Sequence, residues 1–205
     1  MDNASRVAFP ALSRMQDNPE EFKKSAERLL QFISLVIFPL VIIIGLSWSH
    51  LAFLVPKWFK WQLALIPLYI ACFGAIMSCL STPVTGILYA LGKARINTLL
   101  MIMWLLLEWL LKPILAIKFG FMGVAYAVGI ISIFSIVPLI VAKKIIGFSI
   151  VKGLLTSVAS AGLMLGVGLL VHGYGIIITL LMASLGYFIG VMAFGGKSLL
   201  SDLKP

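Results

Sequence analysis

Glu108 and Lys112 stand four residues apart inside the apolar run from Ile96 to Ile117. On a helix that spacing sets a carboxylate and an ammonium on one face. An ionisable group deep in an apolar segment is costly and is found facing a cavity or a partner. Two readings follow. The pair neutralises itself, with Lys112 reaching outward beside Pro113. Alternatively, both side chains line a hydrophilic cavity that meets an anionic or sugar-bearing substrate, or a coupling proton. A second set is Ser78, Thr82, Thr85 and Tyr89, spaced four, three and four around Pro83. On a helix these hydroxyls share a face. They either repair the backbone that proline interrupts in an apolar medium, or offer hydrogen bonds to sugar hydroxyls. The substrate-cavity candidates are therefore Glu108, Lys112, Ser78, Thr82 and Tyr89. Tyr69, Trp104 and Trp109 supply aromatic faces for stacking on a sugar or for contact with lipid and neighbouring helices.

Nothing else in the chain has catalytic spacing. There is no cluster of His, Cys and Asp, no glycine loop for phosphate, and no nucleophile beside a base. Five of the seven acidic residues fall in the first 28 positions, which leaves few carboxylates for chemistry elsewhere. The expectation is a protein that is not an enzyme and uses neither cofactor nor metal. Cys72 and Cys79 lie seven apart in one apolar run and read as ordinary buried thiols on one helix face.

The elements that carry these residues are membrane spans. The 205 residues are 61% hydrophobic and only 11% charged, with a mean hydropathy of +1.12. A soluble domain could not cover itself with so few polar groups. In lipid every backbone group must find its partner within the segment, so the runs are helices of about 20 residues each. The expected fold is all-α with six transmembrane helices, near 29–48, 64–91, 96–117, 121–142, 153–171 and 174–194. Residues 1–28 form a polar, amphipathic approach rather than a signal peptide. Within it, Asn18-Pro19-Glu20-Glu21 predicts a helix start, with Asn as N-cap, Pro in the first turn and acids at the positive end of the dipole. Trp58 and Trp61 suit a headgroup-level connection after the first span. The chain divides into the approach (1–28), a four-helix core (29–142), and a peripheral helix pair with a polar tail (143–205).

Charge placement gives an orientation. Of 16 lysines and arginines, twelve lie in the first 28 residues, in the turns at 93–95 and 143–152, and in the tail. The other four are Lys57, Lys60, Lys118 and Lys112. By the positive-inside rule both termini face the cytoplasm, and His50 and His172 lie outside. Because the cations sit at span edges, a pI near 9.8 is topology charge and implies no nucleic-acid partner. Prolines at 39, 67, 83, 113 and 138 put a helix breaker in each of the first four spans. The last two spans instead carry Gly162-x-x-x-Gly166 and Gly186-x-x-x-Gly190, a pattern that favours close helix packing.

Three stretches resemble the polysaccharide flippases of the MOP (multidrug/oligosaccharidyl-lipid/polysaccharide) exporter superfamily, which also holds MATE-like transporters. They are Phe9-Pro10-Ala11-Leu12-Ser13-Arg14 with the acidic turn and Phe22-Lys23-Lys24 after it, then Gly86 to Arg95 (GILYALGKAR), then Lys118 to Ala127 (KFGFMGVAYA). The likeness covers about residues 5 to 150. It implies two lobes of helices around a central cavity, of which this chain is similar to the C-terminal portion. It also implies alternating access that moves an undecaprenyl-diphosphate-linked oligosaccharide across a bacterial inner membrane for surface polysaccharide or lipopolysaccharide assembly. A missing N-terminal lobe, or a second chain, is then an expected partner alongside the lipid bilayer. A cation-coupled drug exporter of the same superfamily, a non-transporting assembly subunit and a membrane glycosyl transferase are the alternatives.

Overall fold

The computed structural model describes residues 18–54, 62–147 and 150–202. The described residues are helical, with short turns and no strand. Helix α1 runs Pro19–Leu54, α2 Leu65–Ala90 and α3 Ala94–Phe119. They are followed by α4 Phe121–Phe134, α5 Ile136–Ile146, α6 Ile150–Leu170 and α7 Ile176–Asp202. The fourth expected span is thus two helices, α4 and α5, in line of sequence. Five segments are long and apolar enough to cross a membrane: Pro19–Trp48, Gln62–Ala90, Ala94–Phe119, Phe121–Ile146 and Ile176–Gly195. The fifth expected span forms a shorter apolar helix, Leu154–Leu170. The all-α class read from the sequence is the one observed.

The local signals account for most of the boundaries. Pro19 opens α1, Glu20 and Glu21 occupy its first turn, and the Phe22 N–H donates to the Asn18 carbonyl at 3.0 Å. From there the helix passes without interruption into the first span, as expected. The prolines act unequally. Pro39, Pro83 and Pro113 lie inside continuous helices, and Pro67 falls in the first turn of α2, where its missing N–H is not needed. Only Pro138 coincides with a break. Its ring has no N–H to offer the Phe134 carbonyl four residues back, and α4 ends at Phe134. The expected headgroup tryptophans, Trp58 and Trp61, and the Phe9 to Arg14 stretch lie outside the described residues.

The chain forms two compact units, one of residues 1–33 and 66–150, the other of 34–65 and 151–205. In the first, Phe22 and Ala26 on α1 pack with Ile87 and Ala90 near the end of α2. Leu29, Leu91 and Ile146 close over that cluster. The four-residue spacing of Phe22, Ala26 and Leu30, all buried, is the single-face stripe that such packing needs. Helices α3 and α4 form a tight hairpin. Gly120 turns it at φ 59°, a left-handed conformation that glycine adopts at no steric cost. A Cβ at Gly123 would lie 1.8 Å from the Leu115 carbonyl oxygen, so only glycine fits there. In the Lys118 to Ala127 stretch Gly120 therefore serves the turn and Gly123 the packing.

In the second unit Leu46, Met164 and Ala183 form the core. Polar ties join its helices: Ser34 Oγ donates to Ser157 Oγ at 2.7 Å, and the Tyr187 hydroxyl to the Leu35 carbonyl at 2.6 Å. The glycine expectation holds for α7 alone. A Cβ at Gly190 would lie 2.8 Å from the Ser160 Cα, and one at Gly186 3.2 Å from Val167 Cγ2, whereas Gly162 and Gly166 face open space. On α6 the close approach is made at Gly168, against Leu46. The sequence pattern marked the right helices but only one of the two contacting faces.

Candidate functional site

A cavity of about 360 Å³ lies within the first unit, between α2, α3 and α4. Helix α2 contributes Ser78, Ser81 and Thr82, and α3 contributes Trp104 and Glu108. Helix α4 adds Val128, Ile131 and Ser132, and Ser135 lines it from the break before α5. Each set repeats at three or four residues, so one face of each helix turns inward. Helix α2 can approach α4 because Gly74 lacks a side chain: a Cβ there would stand 2.9 Å from Ser132 Oγ.

Two of the lining hydroxyls have a defined polarity. Ser132 Oγ donates to the Val128 carbonyl at 2.7 Å, and Ser81 Oγ to the Ser78 carbonyl at 3.4 Å. Outside the lining, Thr85 Oγ1 donates to the Thr82 carbonyl at 2.7 Å. A hydroxyl whose proton is spent on its own helix presents lone pairs to whatever lies before it. Glu108 adds a carboxylate, which when ionised also only accepts. Ser78, Thr82 and Ser135 add hydroxyls that can donate as well as accept, so this wall suits a polyol, and its carboxylate suits a cation. Trp104 provides an apolar, aromatic face beside it.

Each sequence-stretch candidate has a place. Ser78, Thr82 and Glu108 line the cavity together. Lys112 Nζ lies 3.0 Å from Glu108 Oε1, so the ion pair forms while the carboxylate keeps its position at the cavity. The Glu108 side chain is 51% exposed, and the pair is not enclosed by protein. Tyr89 is not among the lining residues; it is 42% exposed at the end of α2, next to the turn. Trp109 faces outward, 73% exposed, and Tyr69 is also exposed, whereas Trp104 reaches the lining. Ser81, Ser132 and Ser135 are additions that sequence reasoning missed. The signal available was Ser132 and Ser135 three apart, just before Pro138. Among the described residues no three of His, Cys, Asp or Glu converge as metal ligands. Cys79 is buried and Cys72 partly so, and neither forms a disulfide.

In the second unit, the rings of His50 and His172 stack with centroids 4.0 Å apart and an angle of 17°. His50 is 8% exposed and its Nε2 has no hydrogen-bond partner. Burial lowers its pKa from the ordinary 6.5, and the neighbouring His172 lowers it further.

Comparison with known proteins gives two likenesses. Residues 2–55 match a family model described as polysaccharide biosynthesis protein. A 96-residue stretch, 45% of this chain, is 30% identical to a Klebsiella pneumoniae protein described as an uncharacterized membrane protein in a cps region. The match covers 19% of that relative, so the chain spans about a fifth of its length. No solved structure matches. Five segments of membrane-crossing length, with a membrane protein as the similar relative, support a multi-pass membrane protein.

Proposed function

We propose that this chain is the C-terminal part of an exporter that flips a lipid-linked oligosaccharide across a bacterial inner membrane. The observation that carries the reading is the acceptor-lined cavity between membrane-length helices, with Ser78, Thr82 and Glu108 beside Trp104. Sugars present many hydroxyl donors and one apolar ring face, which such a wall matches. The polysaccharide likenesses point to the same class of cargo. In this reading the cavity opens to one leaflet and then the other by movement against a further lobe, while the lipid tail remains in the bilayer. The chain does no bond-making; it lowers the cost of taking polar sugar through hydrocarbon. Both termini face the cytoplasm in this arrangement, by the excess of cations on that side.

The test is export of surface polysaccharide in cells whose own copy of the gene carries Glu108→Gln or Ser78→Ala with Thr82→Val. A hydrogen bond to a charged group contributes about 1.5–3 kcal/mol, so Glu108→Gln is expected to slow export roughly ten-fold or more at equal membrane abundance. Normal export in both variants would remove the cavity from the mechanism. One observation favours a second reading: an acceptor-lined wall with a single carboxylate also suits a cation. If drug sensitivity follows Glu108→Gln while polysaccharide stays constant, the cation-coupled drug exporter is the better assignment.

A further inference from the structure

The turn after α2 and the end of α5 carry four cations, Lys93, Arg95, Lys143 and Lys144, all exposed. Neither segment, Leu88 to Asn97 (LYALGKARIN) or Leu139 to Ile150 (LIVAKKIIGFSI), contains a carboxylate, and on α1, packed on the same cluster, Glu20, Glu21 and Glu27 are matched by Lys23, Lys24 and Arg28. Tertiary packing holds the two segments together. Leu91, two residues before Lys93, and Ile146, two residues after Lys144, both rest on the Phe22–Ala26–Ile87–Ala90 cluster. Each cation also lies within a few residues of a membrane-length segment, Gln62–Ala90, Ala94–Phe119 or Phe121–Ile146. Their level is therefore the headgroup layer, not bulk water. Helix α3 begins in the middle of the group, and no side chain caps it at Lys93. Its dipole adds positive potential where the cations already stand.

We propose that this end of the first unit is a binding surface for anionic phospholipid headgroups. Topology alone asks only that cations be on one side; it does not ask that two turns distant in sequence be joined by a packed core into one patch. Clustered lysines and arginines at the cytoplasmic edge of membrane helices attract acidic lipid. The lipid source is favoured over a soluble phosphate because the patch lies at span edges, where headgroups are the most concentrated phosphates. The cavity carries a carboxylate and the patch carries none, so the two sites differ in the charge they admit.

The experiment is native mass spectrometry of the purified full chain with cardiolipin, phosphatidylglycerol or zwitterionic phosphatidylethanolamine, repeated in nanodiscs of the same lipids. Cardiolipin and phosphatidylglycerol are expected to be retained over phosphatidylethanolamine, with binding weakened as ionic strength rises. Lys93→Gln with Arg95→Gln, and separately Lys143→Gln with Lys144→Gln, are each expected to lower the affinity, by roughly five-fold per charge removed. Lys143→Arg with Lys144→Arg should retain it, which separates charge from damage to the fold. Equal retention of all three lipids overturns the proposal. So does displacement of cardiolipin by micromolar inorganic pyrophosphate, which would assign the patch to a free or substrate-borne diphosphate.

Discussion

Glu108 and Lys112 solve two problems with one contact. In hydrocarbon a lone charge at mid-helix costs about 2.5–3.5 kcal/mol, and the 3.0 Å pairing relieves part of that for each partner. The pair also leaves the carboxylate at the cavity, so the two readings open at the sequence level are compatible in one geometry. Removing one partner should then hurt more than removing both. Lys112→Met or Glu108→Gln alone is expected to lower membrane insertion or thermal stability by about 1–2 kcal/mol, and the double variant to recover much of it. Additive losses in that double-mutant cycle would show that the two groups are energetically independent. Spacing alone made this pair legible, because four residues along a helix fix the face whatever the tertiary fold. Tyr89 shows the limit of the same logic. It shares the hydroxyl stripe with Ser78 and Thr82, but the cavity ends before the last turn of α2 reaches it.

Helix starts and spans were readable because they depend on local rules. Asn18-Pro19-Glu20-Glu21 begins α1, and the apolar lengths set α2, α3 and α6 to within about three residues, whereas α1 and α7 continue to Leu54 and Asp202, past the expected span ends. What a proline or glycine does was less readable, because it depends on the neighbour. Pro138 ends a helix while Pro39, Pro83 and Pro113 do not, and Gly190 touches Ser160 while Gly162 touches nothing. Ser132 and Ser135 were missed for the same reason: an isolated hydroxyl in an apolar run gives no sign of what it faces. The α3–α4 hairpin permits a sharp test. Gly123→Ala places a methyl on the Leu115 carbonyl and is expected to destabilise the protein by at least about 2 kcal/mol, read as a lower melting temperature in detergent. Gly86→Ala, with open space around it and a better helix former introduced, should be neutral or slightly stabilising. Equal effects of the two substitutions would contradict the hairpin geometry.

At the scale of the whole molecule, the histidines are confined to one unit. Both histidines of the chain, His50 and His172, belong to the second unit, and the first has none. His50 lies beyond the first span, which ends at Trp48. Its folded pKa is below 6.5, so the unfolded chain binds its proton more readily than the folded one. The stability it supports is therefore complete above about pH 6.5 and is lost as pH falls through the lowered value. Protease resistance or hydrogen exchange between pH 7.5 and 5 is expected to report loosening in 34–54 and 154–195 and little change in 66–147. His50→Phe, which keeps the stacking and removes the proton site, should flatten that profile. A uniform response along the chain would mean that the carboxylates govern acid sensitivity instead.

The hydroxyls around the cavity bear on how such a protein can change over generations. Ser81 and Ser132 spend their protons on carbonyls of their own helices, so neither hydroxyl ties one helix to another. Alanine or cysteine at Ser81 would alter the wall while leaving the helix–helix contacts to Gly74, Gly123 and the apolar faces, whereas Ser132 stands against Gly74 and belongs to the α2–α4 contact. At Ser81 lining and scaffold are then inherited on separate residues. Under the proposed function, a lineage that follows a drifting surface glycan can rewrite that part of the lining without first having to restore a damaged fold.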